Sequence, residues 1–239
     1  MWMEQFWHKG SKPLPIYRHE FKYVLDNLQV EILKARLPQL MDWDPHAGPQ
    51  GRYEIRSLYF DDFCNSCYRD VENGTDPREK FRIRTYNASD SRITLECKKK
   101  ERSMTHKDSC QLSKEQYQKI MSGSFSASDV NSPLLEKFYL IQEQRHLQPK
   151  VIVAYERTPF VYTFGNVRIT FDRNIGSSTD ISAFFDPYLP VRPILPLGKN
   201  ILEVKYDELL PNFLYDAMSL GSLRQTTFSK YYLCRKFTV

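Results

Sequence analysis

Five stretches of this chain place charged side chains at every second position with apolar ones between them. In an extended strand residues i and i+2 share a face while i+1 points the other way. Segment 18–23 therefore sets Arg18, Glu20 and Lys22 against Phe21 and Tyr23, and segment 80–84 sets Lys80, Arg82 and Arg84 against Phe81 and Ile83. The same alternation puts Glu96 with Lys98, Arg168 with Thr170 and Asp172, and Glu203 with Lys205. Helical spacing appears between these strands. Leu25, Leu28, Ile32, Leu33 and Leu37 predict a helix over 24–41, and Ser113 with Gln116 forms a capping-box pattern ahead of Gly123. Ser132-Pro133 opens a further helix to about His146, 207–220 reads as another before Gly221, and a last one begins near Ser229.

A single strand with one charged face is ordinarily the solvated side of a sheet. Here E-x-K and R-x-R pairs recur in separate strands, and amphipathic helices are on hand to cover the apolar faces. The charged faces then point at one another. This predicts an α+β fold built on a closed eight-stranded antiparallel β-barrel with helices outside and a charged lumen, a shape that also removes exposed strand edges. Burying like charges costs several kcal/mol each in order of magnitude, so such a lumen calls for a polyanion. Arginine forks match phosphate oxygens, and carboxylates in a cationic field suit Mg²⁺ or Mn²⁺, with no His pair to offer a softer site.

Composition narrows the chemistry. With 9 glycines and no Gly-rich phosphate loop, phosphate has to be held by side chains. A net charge of +5 falls short of the bulk positive field of general nucleic-acid binders, so no nucleic-acid partner is expected. The five cysteines are odd in number and suit a reducing cytoplasm, where Cys64-x-x-Cys67 reads as two incidental thiols in a helical turn. No apolar run reaches the roughly 18 to 20 residues of a membrane span, and the expectation is a soluble cytoplasmic protein. Residues 1–15, with Trp2, Phe6 and Trp7 beside His8 and Lys9, are expected to form a short tail packed on one domain of 16–239.

The motifs YRHEFKY at 17–23, IRSLYFDD at 55–62, KFRIRTY at 80–86, LECK at 95–98, YER at 155–157, VRITFD at 167–172, LEVKY at 202–206 and SKY at 229–231 occur in this order. Together they resemble the VTC domain, the polyphosphate polymerase branch of the triphosphate tunnel metalloenzymes, over about residues 16–236. The resemblance implies a tunnel that binds ATP and polyphosphate or pyrophosphate with Mn²⁺ or Mg²⁺. It places Lys22, Arg82, Arg84, Lys98, Lys107, Arg157, Arg168, Lys205, Ser229 and Lys230 at phosphate-binding positions. Six of these, Lys22, Arg82, Arg84, Lys98, Arg157 and Lys205, are carried over as catalytic. Glu203 falls on the metal carboxylate, Tyr155 on a nucleobase-stacking position, and Glu20 and Glu96 are secondary carboxylates for holding metal or orienting lysines. The implied activity is transfer of the γ-phosphate of ATP to a growing polyphosphate chain. Hydrolysing relatives carry E-x-E-x-K on the first strand, where this chain has Arg18, Glu20 and Lys22. An inorganic triphosphatase and a non-catalytic polyphosphate or pyrophosphate sensor are the alternatives, and any membrane exporter would be a separate protein.

Overall fold

The period-two segments do form strands. A computed structural model describes residues 16–221 and 223–238, so the expected 1–15 tail, with Trp2, Phe6 and Trp7, lies outside the described residues. The strands are β1 (His19–Leu25), β2 (Asp42–Trp43), β3 (Tyr53–Asp61), β4 (Arg78–Tyr86), β5 (Ser89–Glu101), β6 (Met104–Leu112), β7 (Gln148–Tyr162), β8 (Val167–Ser178), β9 (Arg192–Pro193) and β10 (Asn200–Tyr206). The α-helices are α1 (Asn27–Arg36), α2 (Ser66–Glu72), α3 (Lys114–Ser122), α4 (Pro133–Arg145), α5 (Asn212–Met218) and α6 (Lys230–Arg235). All ten strands join one sheet whose main path runs β1-β10-β8-β7-β3-β4-β5-β6, with β2 on β7 and β9 on β8. Every recorded pairing is antiparallel.

The sheet is not closed, which corrects the expected eight-stranded barrel. Its two edge strands meet at one bridge, where the backbones of Arg18 and Thr105 exchange hydrogen bonds of 2.9 and 3.0 Å. Past that bridge, the free edge of β1 bonds elsewhere. Tyr23 bridges to Gln225, and the Thr226 N–H donates to the Lys22 carbonyl at 2.9 Å. Backbone groups of β1 that a continuous ladder would pair with β6 are thus satisfied by the C-terminal segment, as buried polar groups require.

The outer face is covered as the alternation predicts. Helices α3 and α4 pack on Leu58, Phe60, Phe81, Ile83 and Leu95, with Phe138 at the centre of this layer. Helices α1 and α5 pack on Phe160, Ile169, Phe171, Leu202 and Val204. A third core sits on the concave side, where Ile55, Val151, Val153 and Tyr155 meet Tyr231 and Cys234 of α6. Not all helices therefore lie outside, because α6 fills part of the interior. Asp61 holds it there, its buried carboxylate accepting the Tyr231 hydroxyl together with the N–H groups of Asp62, Cys67 and Tyr68.

Local signals explain the helix ends. The Ser113–Gln116 capping box is formed, and Gly123 closes α3 in the left-handed region at φ 74°. Helix α1 is shorter than the expected 24–41, because Val24 and Leu25 complete β1 and Asp26 caps the helix with Gln29. Pro211 delays the start of α5, so 207–220 is helical only over Asn212–Met218. Cys64 is exposed ahead of α2, Cys67 is buried inside it, and burial together with Asp61 pushes the Cys67 thiol up to about 12.

Candidate functional site

The inward positions of seven strands, β1, β3, β4, β5, β6, β7 and β10, converge on a cavity of about 570 Å³. Register explains the convergence. Lys22 of β1 stands opposite Glu203 of β10, Glu20 opposite Lys205, Arg82 of β4 opposite Glu96 of β5, and Lys80 opposite Lys98. The cavity wall includes Glu20, Lys22, Arg82, Arg84, Lys98, Tyr155, Arg157, Glu203, Lys205, Ser229 and Lys230. The structure thus gathers most of the residues singled out from the sequence into one space.

Four carboxylates divide the cations among them. Glu20 reaches Lys98 at 2.7 Å, Lys22 at 2.8 Å and Lys205 at 3.9 Å. Glu203 reaches Arg157 at 2.9 Å, Lys205 at 3.4 Å and Lys22 at 3.7 Å. Glu96 takes Arg82 at 2.6 Å, Lys107 at 2.9 Å and Arg84 at 3.7 Å. Asp172 accepts a bidentate fork from Arg157 at 2.7 and 2.8 Å and meets Lys230 at 2.5 Å. Burial alone would raise these carboxyl groups, yet the surrounding lysines and arginines hold all four below the ordinary carboxylate range. They are ionised at neutral pH, and each cation beside them has a charged partner within the wall or just behind it. Such pairing lowers the cost of a desolvated charge but does not remove it, which leaves the wall able to exchange partners.

Lys80 has no such carboxylate partner among the described residues. Lys80 lies beside the Ser229 hydroxyl at 3.3 Å and 5.0 Å from the centre of the Tyr231 ring. Burial, with Arg78, Lys98 and Lys22 nearby, drives it down to about 7. Burial likewise takes Lys205 to about 7 despite Glu203 and Glu20.

Three expected residues are placed differently. Lys107 is half-exposed and bound to Glu96, off the cavity wall. Arg168 is held by Asp44 at 2.7 Å and by the Tyr53 hydroxyl at 2.7 Å, also off the wall. Glu96 is absent from the wall and pairs with Arg82, Lys107 and Arg84, two arginines and one lysine rather than the lysines alone that were expected. Tyr155 is inside, 4% exposed, with its ring faced by Lys230 at 4.9 Å and Arg157 at 5.3 Å, so cations rather than open space flank it. Arg18, first residue of the charged β1 face, turns to Asp207 at 2.7 Å and leaves the cavity to Glu20 and Lys22.

Sequence reading left several wall residues unassigned. Lys80 carries the period-two signal and was open to discovery from it, as was Asp172, which is fully buried off the wall and holds the wall residues Arg157 and Lys230. Tyr59, which accepts from Arg82 at 2.8 Å, and Phe228, whose carbonyl accepts from Lys22 at 2.8 Å, carry no such signal, because sheet register and the C-terminal chain path bring them in. Among the described residues, no three His, Cys, Asp or Glu side chains are grouped to hold a metal. Glu20 and Glu203 nevertheless share Lys22 and Lys205, which brings two hard oxygen donors together on the wall. No helix of the described residues is long and apolar enough to cross a membrane.

Comparison with known proteins bears on the fold and the family. A Bacillus halodurans protein described as a candidate adenylate cyclase superposes with a TM-score of 0.50 at 14% identity, covering 89% of this chain and 95% of its own. A Hippeastrum protein, a candidate adenylyl cyclase with a dominant triphosphatase activity, superposes at 0.57 and 12% identity over 93% of this chain and 96% of its own. At these identities the likeness is one of fold. No curated protein matches the chain significantly. The VTC domain, however, matches residues 17–239, from just ahead of β1 through α6 and on to the C-terminus, and the chain belongs to the VTC domain family.

Proposed function

We propose that this protein is a metal-dependent polyphosphate polymerase that moves the γ-phosphate of ATP onto a polyphosphate chain within the basic cavity. The observation that carries the reading is the ordered wall itself, in which Arg82, Arg84, Arg157, Lys22, Lys98, Lys205 and Lys230 surround one space with Glu203 among them. Phosphoryl transfer asks a protein chiefly to position groups and neutralise charge, and this wall has no need of a covalent nucleophile. A terminal oxygen of the acceptor chain forms the new P–O bond to the γ-phosphorus, the bond from that phosphorus to the β,γ-bridging oxygen breaks, and ADP leaves. Arginine forks bind the non-bridging oxygens, and Lys22 and Lys205 shift from Glu20 and Glu203 toward phosphate.

Glu20 and Glu203 fit Mn²⁺ or Mg²⁺, since these ions take one or two carboxylates and complete their shell with phosphate oxygen and water. When bound, the ion supplies charge neutralisation at the phosphates. Ser229 and Lys230 complete the phosphate wall from the C-terminal side, and Lys107 and Arg168 join it only by leaving Glu96 and Asp44. Tyr155 serves a nucleobase only if Lys230 and Arg157 move off its ring. Hydrolysis is the poorer reading because Arg18 brings no carboxylate to the cavity. A second reading, polyphosphate or pyrophosphate sensing without turnover, draws support from the pairing of Glu203 with Arg157 and Lys205. Purified protein incubated with ATP and Mn²⁺ or Mg²⁺, then resolved on a gel, separates the two. Polyphosphate and ADP are the expected products, and binding of polyphosphate without either product would establish the sensor.

A further inference from the structure

The cavity has two electrostatic zones. In the inner zone every cation named above has a carboxylate within 4.0 Å. Around Lys80 the pattern ends. Arg78 and Lys100 are directly opposite one another on β4 and β5, Lys80 is the next inward residue of β4, and all three line the cavity. Among the described residues none of the three forms an ion pair within 4.0 Å. Arg78 donates to the Thr75 carbonyl at 2.8 Å, and Lys80 has only the Ser229 hydroxyl and the Tyr231 ring. Glu72 also lines this part but is exposed, and Glu79, which lies between Arg78 and Lys80, points outward to Lys137 at 2.7 Å. Burial, Arg78 and Lys22 lower Lys100, just as burial and like charges lower Lys80.

Three like charges held together without an ion-pair partner are costly, and the cost is relieved when an anion arrives. An anion entering the inner zone, by contrast, has to displace Glu20, Glu96, Asp172 or Glu203 from its partners. We propose that Arg78, Lys80 and Lys100 form a metal-independent subsite for a terminal diphosphate group. The inner wall is engaged only by a chain that reaches past Lys98. The Ser229 hydroxyl and the side chains of Ser103 and Thr105 on the same wall add neutral hydrogen-bonding capacity suited to phosphate oxygens. The inference deepens the phosphate-transfer reading by naming where the free end of a chain is received.

The test measures binding of inorganic pyrophosphate, with chelator present to remove divalent ions, by calorimetry on the full chain. Lys80→Gln with Lys100→Gln is compared with a control that neutralises two lysines away from the cavity, Lys34→Gln with Lys114→Gln. The cavity pair is expected to weaken pyrophosphate by roughly tenfold or more, and the control by about twofold or less, because only the former contacts the anion. ADP is the second probe. Equal losses for ADP and pyrophosphate assign the subsite to any diphosphate, and a loss confined to pyrophosphate assigns it to inorganic chains. The Lys80/Lys100 variant is also expected to unfold at higher denaturant than the unmodified protein in the absence of ligand, since it removes like-charge repulsion. Unchanged pyrophosphate binding in that variant, or no pyrophosphate binding by the unmodified protein, overturns the subsite. The polymerase reading is judged separately by product formation, so either can fail alone.

Discussion

Glu203 and Arg84 illustrate two uses of charge at the level of single residues. Glu203 contacts Arg157, Lys205 and Lys22, all of which reach other partners as well. Its replacement by Gln keeps the shape but removes the carboxylate suited to a divalent ion. Turnover is expected to fall by about two orders of magnitude or more while tripolyphosphate binding persists, as steady-state rates and calorimetry would show. Arg84 has less carboxylate contact, 3.7 Å from Glu96, with Ser57 and Tyr155 hydroxyls at 3.3 Å, and is freer to serve a ligand. Arg84→Ala is expected to cost about 1.5 to 3 kcal/mol of tripolyphosphate binding, the range for a charge-assisted bond. The four carboxylates also set the pH response. With native values below their unfolded ones, each contributes stability that is present above about pH 4.5 and is lost as pH falls through its lower native value. Urea unfolding followed from pH 7 down to about pH 3 should show a monotonic loss beginning near pH 4.5, and constant stability over that window would refute the ion-pair account.

Among the elements, the period-two strands were the most legible, because alternation survives as long as one face meets apolar helices and the other a polar interior. Ile83 and Val204 are buried against the outer helices while Arg82, Arg84 and Glu203 face inward. Short helices read less well. The segment after Ser229 was legible as helical, yet nothing local told that α6 would enter the concave side. That placement depends on Asp61, which lies 170 residues away along the chain. Tyr231→Phe keeps the ring and removes the hydroxyl that Asp61 accepts. A loss of about 1.5 to 3 kcal/mol is expected in denaturant unfolding, the range for a buried bond to a charged group, and an unchanged midpoint would show that Asp61 needs only its three backbone donors. Arg168 failed to reach the cavity for a similar reason. Its partner Asp44 follows β2, a two-residue strand with no pattern to reveal it.

In the molecule as a whole, a charged concave interior was legible in the sequence and its closure was not. Alternation specifies which face a side chain takes, whereas closure depends on where the ends of the edge strands fall and what else competes for their backbone groups. Here 225–228 competes successfully for β1. Thr226→Pro removes the N–H that donates to Lys22 and leaves that carbonyl free. Larger particles by light scattering are the expected result, through pairing of the exposed edge with another copy, and an unchanged particle size would show that the bridge at Arg18 and Thr105 protects the edge by itself.

In a cooper's terms, the vessel lacks one stave, and the segment 225–228 is slid into the slot. Lys22 pins it twice, by its carbonyl to Thr226 and by its ammonium to the Phe228 carbonyl. The same stave leads directly into Ser229 and Lys230, which face the contents. Whatever draws Lys22 and Lys230 toward a common cargo therefore also seats the stave, so that filling the vessel and tightening its wall are a single act.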